Sequence, residues 1–251
     1  YDVATDARPE QVMAYFRNSR FVGEAFGVVL VRRQQAQIEV ATFRTEWGYA
    51  DGRRPSRVAF TTAEQDAVRR DFTINGFFEN PLAEDPSKRI IDYVNGRQDL
   101  ETKTVRAIGV PKLRFQEDYL RMLRAVRFTA ALGFTLEPET SKAIAQNAHF
   151  LSRISRERIG QEVRGMLTGP RPTMAAELIQ QLSLDAPAFN DDHDDVPITT
   201  LKSLPIPGTS FAVILAAWLL DRHFKVENDE QTRNRTDYPE AIEPVRVAFD
   251  Q

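Results

Sequence analysis

The spacing of hydrophobic positions changes once along this chain, and the change divides it in two. Up to about residue 108 the apolar positions fall in short runs. Phe26–Arg32 (F-G-V-V-L-V-R) and Gln37–Arg44 (Q-I-E-V-A-T-F-R) alternate and are rich in β-branched residues, which predicts two strands. Tyr1–Thr5 reads as the tail of another strand, Arg8–Asn18 as a helix, and Arg89–Val94 as a short strand before a turn at N-G-R-Q-D-L. Gly48–Pro55 is polar and contains glycine, the composition of a mobile loop, and Ala63–Arg70 has helical spacing. From Lys112 onward the helical period runs almost throughout, with breaks at Gly133, at Gly169–Pro172 and across Ala186–Pro207. The predicted fold class is α+β. A small mixed-sheet head (1–108) precedes an all-helical neck (109–184), an acidic, proline-punctuated linker or loop (185–207) and a partial helical body (208–251). The tail from Val226 is charged, weakly patterned and expected to hold little structure.

The stretch Arg114–Phe134 organises the helical half. As one helix it places Leu120, Leu123, Val126 and Ala130 on an apolar stripe and leaves Asp118, Arg121 and Arg124 near one another on another face. Glu117 and Asp118 stand one turn before Arg121, and Arg127 continues the series. Two readings fit this spacing. One is ion pairing on a solvated surface, at about 0.2–0.5 kcal/mol per pair. The other is an Asp–Arg pair facing a cleft and serving as a hydrogen-bonding edge.

Composition narrows the classes. At 251 residues the chain exceeds one average domain, and 42% hydrophobic residues with sixteen Phe supply a core. A formal charge of -3 argues against a uniformly basic nucleic-acid coat. Arginine is nevertheless dense between Arg53 and Arg127, while acidic residues gather around Asp185–Asp195, a distribution that suits one anionic-ligand face. With no cysteine, disulfides and thiolate metal sites are excluded, and a reducing cytoplasm is the expected setting. No signal-peptide pattern opens the sequence, and the longest apolar run, Phe211–Leu220, is too short to span a bilayer, so no membrane partner is expected. His149, His193 and His223 are isolated from one another and suggest no metal site.

Carboxylates in the head carry more information. Asp2 lies at a strand end, and Glu39 interrupts an alternating run in which Ile38 and Val40 face the other way. Carboxylates converging from adjacent strands would bind Mg²⁺, which favours a few carboxylates completed by water and phosphates. An exposed residue on a one-sided sheet fits Glu39 as well. Arg69-Arg70-Asp71 offers two guanidinium groups for phosphates beside a carboxylate able to accept from a ribose hydroxyl.

The motifs D-V-A-T (2–5), I-E-V-A-T-F-R (38–44), D-G-R-R-P (51–55), R-R-D-F-T-I-N (69–75), D-Y-V-N-G-R-Q-D-L (92–100), E-D-Y-L-R-M-L-R-A-V-R-F (117–128) and S-R-E-R-I-G-Q-E (155–162) occur in that order. Together they resemble the class II tRNA nucleotidyltransferases (CCA-adding enzymes and their CC-adding or A-adding relatives) and the related bacterial poly(A) polymerases. The resemblance extends from Tyr1 to about Leu184. It implies a polymerase-β-like nucleotidyltransferase head on a helical neck and body.

It also implies roles. Asp2 matches the second carboxylate of a catalytic Asp-x-Asp, the first of which would fall ahead of Tyr1 together with a glycine-rich triphosphate segment. Glu39 matches the third strand carboxylate, and Asp2 and Glu39 would hold Mg²⁺ as a two-metal site. Arg69, Arg70 and Asp71, with Asn75 of the same motif, match positions that bind the triphosphate and the ribose 2′-hydroxyl. Gly48–Pro55 matches a flexible loop linked to nucleotide switching. Asp92, Gly96 and Asp99 belong to a hinge between head and neck. Asp118 and Arg121 match the base-reading pair, supported by Glu117, with Arg124 and Arg127 among the nucleotide-binding positions. Ser155–Glu162 resembles the helix behind that motif.

A physical reason accompanies the base-reading pair. Cytosine and adenine each present an amino donor beside a ring-nitrogen acceptor, which an Asp–Arg edge complements. Uracil and guanine invert that pattern, and an unpaired polar edge can cost ~10⁴-fold in rate. The implied activity is template-independent addition of C and A from CTP and ATP to tRNA 3′ ends, with pyrophosphate release. A poly(A) polymerase and a non-catalytic RNA-binding relative are the alternatives. Arg153, Arg156 and Arg158, with Arg164 and Arg171, are candidates for phosphate contacts along bound RNA.

Overall fold

A computed structural model describes residues 2–22, 27–48, 57–191, 197–206 and 208–223. Most of the expected loop at Gly48–Pro55, and the tail from Val226, lie outside these residues.

The head is built on a four-stranded sheet of β1 (Val3–Thr5), β2 (Ser19–Phe21), β3 (Val28–Arg33) and β4 (Ala36–Thr42), in the order β1-β4-β3-β2. β1 runs parallel to β4, while β2–β3 and β3–β4 are antiparallel. Alternation decides its faces. Val29, Val31 and Val40 pack with Val12 of helix α1 (Pro9–Tyr15), so the covered face is apolar and Glu39 points away from it. A hairpin of β5 (Arg44–Trp47) and β6 (Arg57–Phe60) follows, so the expected strand to Arg44 is broken at Phe43. The next elements are α2 (Ala63–Val68), a 3₁₀ turn at Thr73–Asn75, and a hairpin of β7 (Phe77–Glu79) and β8 (Ile90–Asp92).

N-G-R-Q-D-L, expected as a turn, forms the short helix α3 (Gly96–Glu101). The Asp92 carboxylate accepts from the backbone N–H groups of Val94, Gly96 and Arg97 at 2.9–3.1 Å, the last two being open donors of its first turn. Asn95 stands before it in the left-handed region, φ 61.

The helical half has one large core. The expected single helix Arg114–Phe134 is two: α4 (Pro111–Glu117) and α5 (Leu120–Leu132). Asp118 breaks it in an extended conformation (φ -155, ψ 106), and its carboxylate accepts from the Leu120 N–H at 3.0 Å. Gly133 (φ 68) closes α5, its N–H donating to the Thr129 carbonyl. The predicted stripe Leu120, Leu123, Val126 and Ala130 is buried, and so are Met122 and Ala125, which encloses α5 on more than one side. Against it pack α7 (Arg156–Leu167) and α8 (Pro172–Gln181), while α6 (Pro138–Asn147) packs on α4 within the same core. A two-stranded ribbon of β9 (Thr104–Val105) and β10 (Thr135–Leu136) ties the head side to the end of α5.

The stretch expected as an acidic linker or loop, 185–207, departs from that expectation. Its described part holds α9 (Asp185–Phe189) and α10 (Thr200–Ser203), and Ile198 and Leu201 are buried in the main core. Asp185 is itself buried and pairs with Arg222 of α11 (Phe211–His223) at 3.2 Å. Trp218 of α11 meets Phe189 edge-on, so residues 211–223 pack into the neck's own core.

Candidate active site

The open face of the sheet carries the first pair of candidates. Val3 pairs with Val40 in parallel register, so one step back Asp2 stands beside Glu39. Because Ala4 and Ala41 are also partners, alternation puts both carboxylates on the same face, opposite Val40. Both are exposed. Two adjacent carboxylates open to water suit Mg²⁺, whose remaining positions water and phosphate oxygens fill. Among the described residues no larger group of His, Asp or Glu is arranged for a metal, and no hydrogen bond or ion pair joins this pair to the arginine network below.

That network starts at the end of α2. Asp66, buried at 3% exposure, accepts from Arg69 (Nε 2.9 Å, Nη2 2.7 Å) and from Arg70 (Nε 3.3 Å, Nη2 3.2 Å). Helical spacing of three and four residues brings both arginines to this one carboxylate. Arg69 also reaches Glu46 at 3.0 Å, and Arg70 donates to the Asn75 carbonyl at 2.8 Å while lying over the Phe78 ring. Two guanidinium groups are thereby ordered side by side, both still partly open to solvent.

Asp71 turns inward. It accepts from Arg124 (Nε 2.8 Å, Nη2 2.6 Å), from Asn75 Nδ2 (3.1 Å) and from the Phe72 N–H (2.9 Å). Burial would push its carboxyl up, but the Arg124 guanidinium, followed by the Asn75 and Phe72 donors, holds it below the ordinary carboxylate range. The 3₁₀ turn at Thr73–Asn75 is what carries Asn75 back beneath Asp71.

Asp118 and Arg121 sit at the α4–α5 break, linked through the backbone by Arg121 N–H donating to the Asp118 carbonyl at 3.0 Å. Their side chains do not pair with each other. Arg121 is held by Glu117 at 2.5 Å and by the Arg114 carbonyl, whereas Asp118 is held by Arg158 of α7 at 2.6 Å. The expected face of one continuous helix is thus replaced by a corner between two helices, with each member of the pair oriented by a different neighbour. Glu162, one turn beyond Arg158 on α7, holds Arg127 at 2.7 Å and lies 4.0 Å from Arg124.

The hinge candidates surround the 3₁₀ turn. Asp99 accepts from the Thr73 hydroxyl at 2.7 Å and from Arg106 at 3.1 Å, and Asp92 caps α3. Gly96 lies so close to the turn that a Cβ there would stand 2.2 Å from the Thr73 carbonyl oxygen. Asp99 therefore fastens α3 to the motif that presents Asp71, Gly96 lets the two approach, and Asp92 caps the helix.

The candidates for RNA contacts separate. Arg153 is exposed and lies over the Phe150 ring. Arg156 donates to the Pro187 and Ala188 carbonyls, both at 2.9 Å, so it fastens the end of α9. Arg158 is committed to Asp118. Arg164 lies over Phe211, and Arg171 donates to the last carbonyls of α5 beside Gly133.

Sequence reasoning missed Asp66, Arg114 and Glu162 as site residues. Asp66 had a signal in its spacing to Arg69 and Arg70. Glu162 had only its place in S-R-E-R-I-G-Q-E. Arg114 donates to the Val68 and Arg69 carbonyls at 2.9 and 3.1 Å, locking α2 to α4, and pairs with Glu117 at 2.8 Å. Contacts from Arg114 back to residues 68 and 69 leave no short-range pattern.

Two family models match the chain: the poly A polymerase head domain over residues 1–106, and the probable RNA and SrmB-binding site of polymerase A over residues 133–190. The chain is 42% identical over 202 residues to the CCA-adding enzyme of Bacillus subtilis (strain 168), covering 79% of this chain and 50% of that one. It is 46% identical over 169 residues to the CCA-adding enzyme of Bacillus pumilus (strain SAFR-032), covering 67% and 41%. The chain therefore spans about half the length of the curated relatives it matches. Among solved structures, the Bacillus stearothermophilus CCA-adding enzyme in complex with CTP superposes with a TM-score of 0.65 at 40% identity, covering 74% of this chain and 44% of that one. A tRNA nucleotidyltransferase complexed with a primer tRNA and an incoming ATP analogue gives 0.62 at 28% identity, covering 75% and 54%.

Proposed function

This chain belongs to the class II tRNA nucleotidyltransferase and poly(A) polymerase family, and on that premise we propose that the whole protein adds C and A to tRNA 3′ ends without a nucleic-acid template. The observation that carries this reading is the corner at Asp118 and Arg121. A carboxylate and a guanidinium stand three residues apart at the head of α5, each oriented by its own partner. Asp118 accepts from the exocyclic amino group of cytosine or adenine, and Arg121 donates to the ring nitrogen beside it. Uracil and guanine set acceptor against carboxylate and donor against guanidinium, so both are refused.

The other groups position the rest of the nucleotide. Asp71, kept ionised by Arg124, accepts from the ribose 2′-hydroxyl in place of its present donor Asn75 Nδ2, and so prefers ribonucleotides. Arg69 and Arg70, ordered by Asp66, meet triphosphate oxygens. Asp2 and Glu39 would hold Mg²⁺. When bound, the metal neutralises phosphate charge and favours ionisation of the RNA 3′-hydroxyl. Most of the remaining catalysis is positioning. The absence of cysteine and a tRNA substrate suit a cytoplasmic enzyme.

The test is incubation of the full-length protein with Mg²⁺, CTP and ATP on tRNA lacking its 3′ end. Addition that stops after C, C and A is the expected result. Unbounded addition of A would identify a poly(A) polymerase, the reading favoured by the name of the matching head-domain model. No incorporation would reject the enzyme.

A further inference from the structure

We propose that the β2 edge of the head sheet binds the RNA strand being extended, with Arg20 and Arg32 meeting its phosphates and Tyr15 stacking an unpaired base. The proposal rests on the reading that the protein extends RNA 3′ ends.

The register of the sheet sets the geometry. Glu39 of β4 stands opposite Leu30 of β3, and Leu30 stands opposite Arg20 of β2. With Asp2 beside Glu39, one row crosses all four strands: Asp2, Glu39, Leu30, Arg20. Residues directly opposite share a face, so Arg20 lies on the side that carries the two carboxylates. Two strand spacings, about 10 Å, separate it from Glu39. Arg32, two residues beyond Leu30 on β3, is on that face too. Its N–H donates to the Asn18 carbonyl at 2.9 Å, which brings Arg17 alongside. An RNA 3′-hydroxyl placed at the carboxylate pair therefore has guanidinium groups a short step away along the same face.

Positive charge is concentrated on this edge. Residues 11–22 and 27–38 hold four arginines, Arg17, Arg20, Arg32 and Arg33, and no Asp or Glu. Arg17, Arg20 and Arg32 are exposed, and among the described residues none of their side chains has an ion pair or hydrogen bond. The arginines of the nucleotide network, by contrast, are held by carboxylates. An unpaired basic cluster on a chain of net charge -3 is a local attraction for a polyanion. The triphosphate is placed elsewhere: Arg69 donates to the Arg44 carbonyl at 2.7 Å, beyond the end of β4, whereas Arg20 stands on the edge strand. Aromatic rings complete the surface. Tyr15 and Phe16 end α1 just before β2 and are 84% and 42% exposed, and the Ser19 hydroxyl donates to the Phe16 carbonyl. Guanidinium groups for phosphates beside an open ring for a base are what an unpaired nucleic-acid strand engages. An acidic protein would have no use for the rings.

The test is the affinity of the full-length protein for tRNA carrying its first two added C residues, measured across a range of salt in EDTA. Under those conditions metal contributes nothing to binding. The Arg20→Ala/Arg32→Ala double variant is expected to bind more weakly, with a salt slope smaller by about 0.7 for each arginine lost. Tyr15→Ala should lose about fivefold or more in affinity with the slope unchanged, because stacking releases no counterions. At saturating RNA, the KM for CTP and the preference for CTP over UTP should match the wild type. Wild-type RNA affinity in either variant would overturn the proposal, as would no measurable RNA binding by the wild type. A raised KM for CTP with RNA binding intact would give the arginines to the triphosphate and overturn it as well. Nucleotide addition by the wild type separates the two levels. If the wild type adds nucleotides and the variants bind RNA normally, this surface fails and the enzymatic reading stands. If the wild type adds none and the variants bind RNA weakly, the enzymatic reading fails and this surface stands. Thermal unfolding identifies any variant that does not fold, and Arg20→Gln/Arg32→Gln then carries the same comparison, with wild-type affinity again counting against the surface.

Discussion

Asp71 shows how one residue's environment sets both its chemistry and its contribution to stability. Its ordinary value is 3.8, and in the folded chain Arg124, Asn75 and Phe72 outweigh burial and hold it lower. A carboxyl depressed by folding stabilises fully above its unfolded value and loses that contribution as pH falls through the folded one. Asp92, Glu137 and Asp221 are depressed too, each with burial opposed by hydrogen-bond donors, so their contributions have the same sign. Denaturant unfolding should therefore show stability decaying as pH drops below about 4, with a shallower decay in Asp71→Asn. Asp71→Ala should also relax the preference for ribonucleotides over deoxyribonucleotides by about tenfold or more, and an undiminished preference would remove Asp71 from sugar recognition. R-R-D was legible as a motif because its residues are contiguous. The network around it was not, since Arg124 reaches Asp71 from 53 residues away.

Among elements, the informative one is the corner between α4 and α5. Periodicity placed the buried stripe of α5 correctly, because Leu120, Leu123, Val126 and Ala130 obey one helical period. It did not reveal the break at Asp118, because the helical pattern continues through a residue whose backbone is extended. The stretch 185–207 failed for a related reason. Prolines and acidic residues read as solvated chain, but Asp185 is paired with Arg222, and Asp221 accepts from the Thr200 and Leu201 N–H groups at the start of α10. These partners lie 20–37 residues away, beyond any local pattern. α3 carries a sharper expectation. Gly96→Ala drives a methyl group into the Thr73 carbonyl, and backbone on both sides leaves little room to yield. It should cost about 1–3 kcal/mol in denaturant unfolding. It should also impair nucleotide binding, because the displaced turn presents Asp71 and Asn75. Wild-type stability in this variant would show that the contact is not tight.

At the scale of the molecule, an exposed pair of sheet carboxylates stands apart from a partly buried arginine network, the one proposed above to read the nucleotide. The sheet and its open face were legible from alternation, and the order of motifs was legible as a family resemblance. The place of α7 behind the base-reading motif was legible only through the resemblance at S-R-E-R-I-G-Q-E, whereas the partners of Arg158 and Glu162 were not, since Asp118 and Arg127 lie 40 and 35 residues away. The central claim is that protein side chains replace a template in choosing the base. Its most direct measurement is template-free incorporation by full-length protein on tRNA lacking its 3′ end, with CTP, ATP and UTP in competition, for wild type and Asp118→Ala. The account predicts that wild type incorporates CTP and ATP and excludes UTP, and that Asp118→Ala admits UTP while still requiring Mg²⁺. Equal exclusion of UTP by both proteins would contradict it.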